Sequence, residues 1–189
     1  SAIGEAVYVG DLNMKYFRIW TNHALSAAEI TTLYNNRNTN YFTFRTLRIQ
    51  NPPIYDWDFR QASSTTITDS IGGLTATYNG GMSSTVSDGA TFDGTDDYIS
   101  FAPTITASTG FSVECYFNQA SVGSAVTNLI DLAYDNTFNQ STTESIQINT
   151  SVQGTSQFRF LIQEKGTTSL QSNWTQFSTS TWIHCVFTT

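Results

Sequence analysis

Three carboxylates crowd one turn of the chain, Asp93, Asp96 and Asp97, inside the run Asp88-Gly-Ala-Thr-Phe-Asp-Gly-Thr-Asp-Asp-Tyr-Ile-Ser-Phe101. Calcium takes about six to eight oxygens from carboxylates and carbonyls, so acids gathered on a loop suit it. Asp69, in a second turn, is a further candidate ligand. The spacing fits no EF-hand loop, and Asp is common in turns because its side chain bonds nearby backbone. A plain hydrated turn is the competing reading. The aromatics offer a second chemistry, since their π faces can stack on the C–H-rich faces of sugar rings. Trp174, Tyr98 and Tyr116 are candidates, with Tyr55 and Tyr78 behind them. Each suits a core or an interface as well. Trp174 has the best claim, because it sits in a polar stretch, Gln171-Ser-Asn-Trp-Thr-Gln176.

Nothing in the acids and histidines spells catalysis. Glycoside hydrolysis wants two carboxylates about 5–9.5 Å apart, yet Glu5, Glu29, Glu114, Glu144 and Glu164 are scattered. Asp56 and Asp58 are the one acidic pair two residues apart, and flanking Trp57 in a strand they read as a solvent-facing pair. His23 and His184 have no nucleophile motif around them. The chain is therefore expected not to be an enzyme. Cys115 and Cys185 have two readings: a bridge closing a long loop, worth about 4 kcal/mol, or two buried free thiols. Asn139, Asn149 and Asn173 each open an N-glycosylation sequon.

Composition narrows the classes of function. Charged residues make up 12% and aromatics 14%, which is the opposite of a disordered composition. A net charge of −7 disfavours nucleic acid and anionic membranes, both of which need a basic face. No apolar run approaches the ~20 residues needed to span a bilayer. The opening Ser1-Ala-Ile-Gly4 shows no secretory signal pattern and no initiator Met, which suggests a processed or partial product. The length suits one large domain, or one domain plus a fragment.

Strand-like alternation dominates the chain, so all-β is the expected class. Ala6–Val9 and Met14–Trp20 read as strands, the second with Lys15, Phe17 and Ile19 on one face and Met14, Tyr16, Arg18 and Trp20 on the other. Ser26 with Glu29 three residues on is a capping box, so a short helix should begin there with Ile30, Leu33 and Tyr34 as its apolar stripe. Tyr55, Trp57 and Phe59 share a strand face, as do Leu74, Ala76 and Tyr78. In Phe111–Phe117 the residues Phe111, Val113, Cys115 and Phe117 alternate with Ser112, Glu114 and Tyr116. Further strands are expected at 129–134, 145–149, 158–163 and 182–187. Asp93-Gly94 is a turn in which Gly94 takes positive φ without steric cost.

The run around Asp93 resembles the F-D-G-x-x-D-Y-I/V signature of laminin-G-like domains, members of the concanavalin A-like lectin/glucanase superfamily. The opening Tyr55-Asp-Trp-Asp-Phe59, the turn Asp69-Ser-Ile-Gly-Gly73, the strand at 111–117 and Trp182-Ile-His-Cys-Val-Phe187 resemble successive elements of that family. Residues 8–35, with Phe17-Arg-Ile-Trp20 and Ala24-Leu-Ser-Ala-Ala-Glu-Ile30, resemble its C-terminal end. The family order is thus reversed: a C-terminal block at 1–35, a connector at 36–53, and a main block at 54–189 that lacks its last strands. Either one circularly permuted sandwich results, or the tail of one repeat followed by most of the next; the connector favours an array, whose open strand edges need a partner.

The resemblance implies an antiparallel β-sandwich of the jelly-roll, concanavalin A-like kind with one short helix. Calcium is its implied cofactor. It also implies a non-catalytic module on an extracellular, cell or virion surface, acting in glycan recognition or adhesion, with glycans or copies of itself as partners. The other expectation is a structural repeat unit of a fibre, filament or capsid, which the Ser/Thr/Asn-rich, Lys-poor composition favours.

Overall fold

The computed structural model describes residues 4–7, 11–38, 51–61, 65–102, 110–121, 127–133, 145–152, 155–164 and 167–189. The first block contributes β1 (Gly4–Val7), β2 (Asp11–Thr21) and α1 (Ala27–Asn35). Then come β3 (Tyr55–Asp58), β4 (Thr66–Thr68), β5 (Thr75–Asn79), β6 (Ser83–Thr85), β7 (Gly89–Asp93) and β8 (Tyr98–Phe101). The remainder are β9 (Phe111–Gln119), β10 (Thr127–Ala133), β11 (Ser145–Val152), β12 (Thr155–Glu164), β13 (Thr167–Gln171), β14 (Thr175–Gln176) and β15 (Trp182–Thr188). No described helix is long and apolar enough to cross a membrane.

The strands form three antiparallel sheets that share one core, so the chain is an all-β sandwich with one short helix. One sheet has the order β1-β8-β5-β4 and another β10-β11-β12-β13 with β14 beside β12. The largest runs β15-β9-β2-β7-β6, with β3 also on β2. Its centre is β2, which pairs with β9 along one edge and with β7 and then β3 along the other. Residues of the first block therefore lie between strands of the main block, and both blocks share the core. Phe17 of β2 stacks on Trp57 of β3, with 6.0 Å between ring centroids and 10° between planes. Phe101 of β8 closes on the same indole at 4.6 Å.

In β2 strict alternation fails. The register of β2 against β9 shifts between Met14 and Tyr16. The extra residue of such a bulge moves the following side chains to the opposite face from the one counted by twos. Met14 therefore joins Phe17 and Ile19 in the core, while Lys15 does not. In β9 the count holds: Phe111, Val113, Cys115 and Phe117 face the core. Ser112, Glu114 and Tyr116 lie on its other face but are buried too, so that face is not the solvent side.

The helix starts where the capping box requires. The Glu29 backbone N–H donates to Ser26 Oγ, and the Ser26 N–H donates to a Glu29 carboxylate oxygen at 2.9 Å. Leu33 and Ile30 pack with Trp20, Leu25 and Val186, forming a small second core over the sheet. Tyr34, expected in the apolar stripe, is exposed instead, with the Arg37 guanidinium over its ring and the His184 ring at its edge. The expected connector is described at its ends, where the Trp20 indole N–H donates to the Asn51 carbonyl at 3.1 Å and Pro53 is buried; residues 39–50 lie outside the described residues, as does Tyr134 of the strand expected at 129–134.

Candidate functional site

The acidic loop joins β7 to β8, two strands that belong to different sheets. Gly94 turns the chain with φ 78°, and the Thr95 N–H donates to Asp93 Oδ1 at 2.8 Å, a local Asx turn. The Asp93 N–H donates to Asp97 Oδ2 at 2.9 Å, folding the tip back on itself. Gly80 backs the loop from the β5–β6 turn; its φ is +82°, and a Cβ there would overlap the Asp96 carbonyl. One carboxylate oxygen from each of Asp93, Asp96 and Asp97 lies within 4.8 Å of the others. Asp93 and Asp96 are exposed, but Asp97 is only 5% exposed. Its Oδ1 is buried with no hydrogen-bond partner. Burial, with the charges of Asp93 and Asp96 adding to it, holds the Asp97 carboxyl above the ordinary carboxylate range. This arrangement fits a divalent cation, which would neutralise three neighbouring acids.

Asp69, grouped with these acids by sequence, stands apart from them. It is buried, and its carboxylate oxygens accept from the backbone N–H groups of Ile71, Gly72 and Leu74 at 2.6–2.9 Å. Both oxygens of that carboxylate hold its own turn, and it is not among the acids clustered at the Asp93–Asp97 loop.

The aromatic candidates do not converge. Tyr98 lies in β8, Tyr116 in β9, and Trp174 between β13 and β14, each on a different sheet. Tyr116 is not a free stacking surface: it is buried, its hydroxyl donates to Asn38 Oδ1 at 3.1 Å, and its ring packs on Trp182. The Lys15 ammonium lies over both rings, 4.1 Å from the Trp182 centroid and 5.6 Å from that of Tyr116. Tyr55 and Tyr78 belong to the core, where burial pushes the Tyr78 phenol up to about 12. Tyr98 and Trp174 are half-buried. Of the sequons, Asn149 is buried in β11 and closed to modification in the fold, Asn173 is exposed, and Asn139 lies outside the described residues.

Cys115 and Cys185 are directly opposite one another across β9 and β15, and both are buried free thiols. The bridged alternative is not the one the structure holds. Hydrogen bonding to Cys185, and then burial, push the Cys115 thiol up, which suppresses the reactive thiolate. A thiol-reactive dye is therefore expected to label neither cysteine in the native protein and both after denaturation. Rapid native labelling would show that β15 opens away from β9.

A row of charged groups, not foreseen from the sequence, crosses the large sheet on the face away from the main core. Arg18 of β2 donates through Nε to Asp56 at 2.8 Å and through Nη1 to Glu114 at 3.0 Å. His184 Nε2 lies 2.7 Å from the other Glu114 oxygen. Glu114 is fully buried and Arg18 nearly so. Burial pushes the Glu114 carboxyl up, but the Arg18 charge and the His184 contact outweigh it and hold the group below the ordinary Glu value. Asp56 ends above its ordinary value, because burial and the neighbouring acids outweigh Arg18. Asp56 and Asp58 are thus not a solvent-facing pair; Asp56 binds Arg18, and Asp58 binds Arg60 at 2.7 Å. The signal in the sequence was a charge set among apolar residues in each of two strands, Arg18 in β2 and Glu114 in β9.

In comparisons with protein-family models, curated proteins and solved structures, no match to this chain was found.

Proposed function

We propose that this chain is a non-catalytic, laminin-G-like jelly-roll module that recognises glycans at an extracellular or virion surface, aided by calcium on the Asp93–Asp97 loop. The observation that supports it is the clustering of one carboxylate oxygen from each of Asp93, Asp96 and Asp97 within 4.8 Å of the others, at a loop where Asp97 Oδ1 is buried without a hydrogen-bond partner. A buried polar atom without a partner costs about 1–3 kcal/mol, more when charged, so the loop is built for a positive ligand. Asp93, Asp96 and Asp97 would hold the ion. Bound there, calcium supplies positive charge and open coordination positions that suit sugar hydroxyls.

The pH dependence follows from the raised Asp97 pKa. A carboxyl whose folded pKa is raised favours the fold at acid pH, and that contribution is lost as pH rises through the folded value. Calcium offsets the loss by binding the ionised form. Added calcium should therefore raise the melting temperature at neutral pH, by about 2.7 kcal/mol of stability at a hundred times its Kd. The gain should fade as pH falls through the Asp97 titration and vanish in Asp97→Asn. A glycan array run with calcium and then with a chelator tests the recognition itself. If calcium does not change the melting temperature, and no glycan binds in either condition, the reading fails.

The second reading is a structural unit of a fibre, sheath or capsid, and β15 favours it. Among the described strands this end strand of the large sheet pairs only with β9. It contains neither Lys nor Pro, the residues that usually blunt an edge. A groove of mixed polarity beside it is lined by Ile148, Phe158, Phe160 and Phe187 together with Ser172 and Thr175. Light scattering on the purified chain separates the readings: a monomer that binds glycan supports the first, and concentration-dependent polymers without glycan binding support the second.

A further inference from the structure

We infer that Arg159 and Trp174 form a subsite for an acidic saccharide, with the guanidinium receiving the sugar's anionic substituent. Arg159 lies on the face of β12 opposite the core residue Phe160, half-buried among the buried Leu161 and Asn149 of the same sheet face. Its guanidinium lies over the Trp174 ring, 4.6 Å from the centroid. Nε donates to Asn149 Oδ1 at 3.1 Å, and Nη1 donates to Gln171 Oε1 at 3.4 Å. Asn149 is 1% exposed and donates in turn to Gln147, also buried. Buried amides are retained where their hydrogen bonds are met, and here they fix the direction of the guanidinium.

The partners of Arg159 are all neutral. Among the described residues no carboxylate pairs with it, and its Nη2 group donates to none of them. That is unusual company for a cation in a chain with fifteen acids and eight Lys and Arg residues. Arg18 and Arg60, by contrast, each hold carboxylates. A planar guanidinium pinned by amides and an aromatic plane is preorganised for a bidentate anion such as a carboxylate or sulfate. The surroundings specify a sugar. Exposed Gln171, Asn173 and Gln176 offer amides that both donate and accept, as sugar hydroxyls require. The half-buried Trp174 adds apolar surface for a pyranose ring.

This inference rests on the glycan-binding reading but not on the cation, so it is tested in chelator. Trigalacturonate, its methyl ester and a sulfated galactose oligomer are titrated by calorimetry into the full chain, its Arg159→Gln and Arg159→Lys variants, and Trp174→Leu. The acid or the sulfate ester should bind, and the two arms tell which substituent is read. The neutral methyl ester should bind about tenfold more weakly or worse, the loss of one charge-assisted hydrogen-bonded contact. Arg159→Gln should lose binding to a similar degree, Arg159→Lys should not restore it fully, and Trp174→Leu should weaken acid and ester alike. Circular dichroism and melting temperature confirm that the variants fold; Arg159→Lys keeps the charge if Arg159→Gln does not. Equal binding of acid and ester, wild-type binding by both Arg159 variants, or no binding of any oligomer in chelator would overturn the subsite. Calcium-dependent binding of neutral glycans alone would overturn it while leaving the loop reading intact.

Discussion

Arg18→Leu is expected to destabilise the protein by about 3–5 kcal/mol, because it leaves the fully buried Glu114 carboxylate without its main counter-charge. His184 would remain as its one strong partner. The double variant Arg18→Leu/Glu114→Leu should recover much of the loss, since replacing a whole buried pair by apolar groups is often near neutral. Urea denaturation of the two variants measures this directly. A loss below about 1 kcal/mol for Arg18→Leu, the value of a surface pair, would mean that the row is hydrated. The same pair sets an acid limb. Glu114 has a folded pKa below its unfolded value, so its contribution is present above the unfolded pKa and is lost as pH falls through the folded one. Wild type should therefore converge on Glu114→Gln in strong acid. Asp56, with its raised pKa, acts with the opposite sign, which is why the comparison with Glu114→Gln is more informative than the wild-type curve alone.

Phe17→Ala and Trp57→Ala form the second large prediction, each expected to cost about 3–5 kcal/mol. Both rings are buried, and they stack across β2 and β3. Because they touch, the double variant should depart from additivity by about 0.5–3 kcal/mol. The cycle also asks whether the two sequence blocks fold as one unit, since Phe17 comes from the first and Trp57 from the main block. One cooperative transition, shifted by either substitution, shows a single unit. Two transitions, each moved by only one of the substitutions, would show that the blocks are independent in solution. Milder Trp57→Phe reads the same coupling if the alanine variants prove too unstable to purify, against a total stability of about 5–15 kcal/mol for a domain.

The candidate sites were legible to unequal degrees. Asp93, Asp96 and Asp97 lie within five residues, so a single turn brings their carboxylates together, and their grouping could be read directly. Asp69 could not be placed that way, because its carboxylate is claimed by the N–H groups of its own turn. Tyr116 and Trp174 were both open to a sugar by residue type, Trp174 the more so for its polar surroundings. Packing made one a buried ring capped by Asn38 and left the other half-buried under Arg159.

Taken alone, the sequence determined what short-range chemistry can determine. Alternation of apolar residues set the strands and the all-β class, because side chains on a strand alternate faces. Ser26 and Glu29 set the helix start, since each satisfies a backbone group of the other, and Gly94 set the turn at the acidic loop. Only the tertiary structure decided which strands are neighbours, and with them every long-range pair. Arg18 and Glu114 are 96 positions apart, and nothing local in either strand names the other. Their meeting depends on the register of β2 against β9, which the bulge after Met14 resets. Arg159 and Asn149 likewise meet because β11 and β12 pair in a register that sets them side by side. Local preferences act over a turn or two of chain; the partners of a buried charge are chosen by the burial of whole sheet faces, which no single stretch contains.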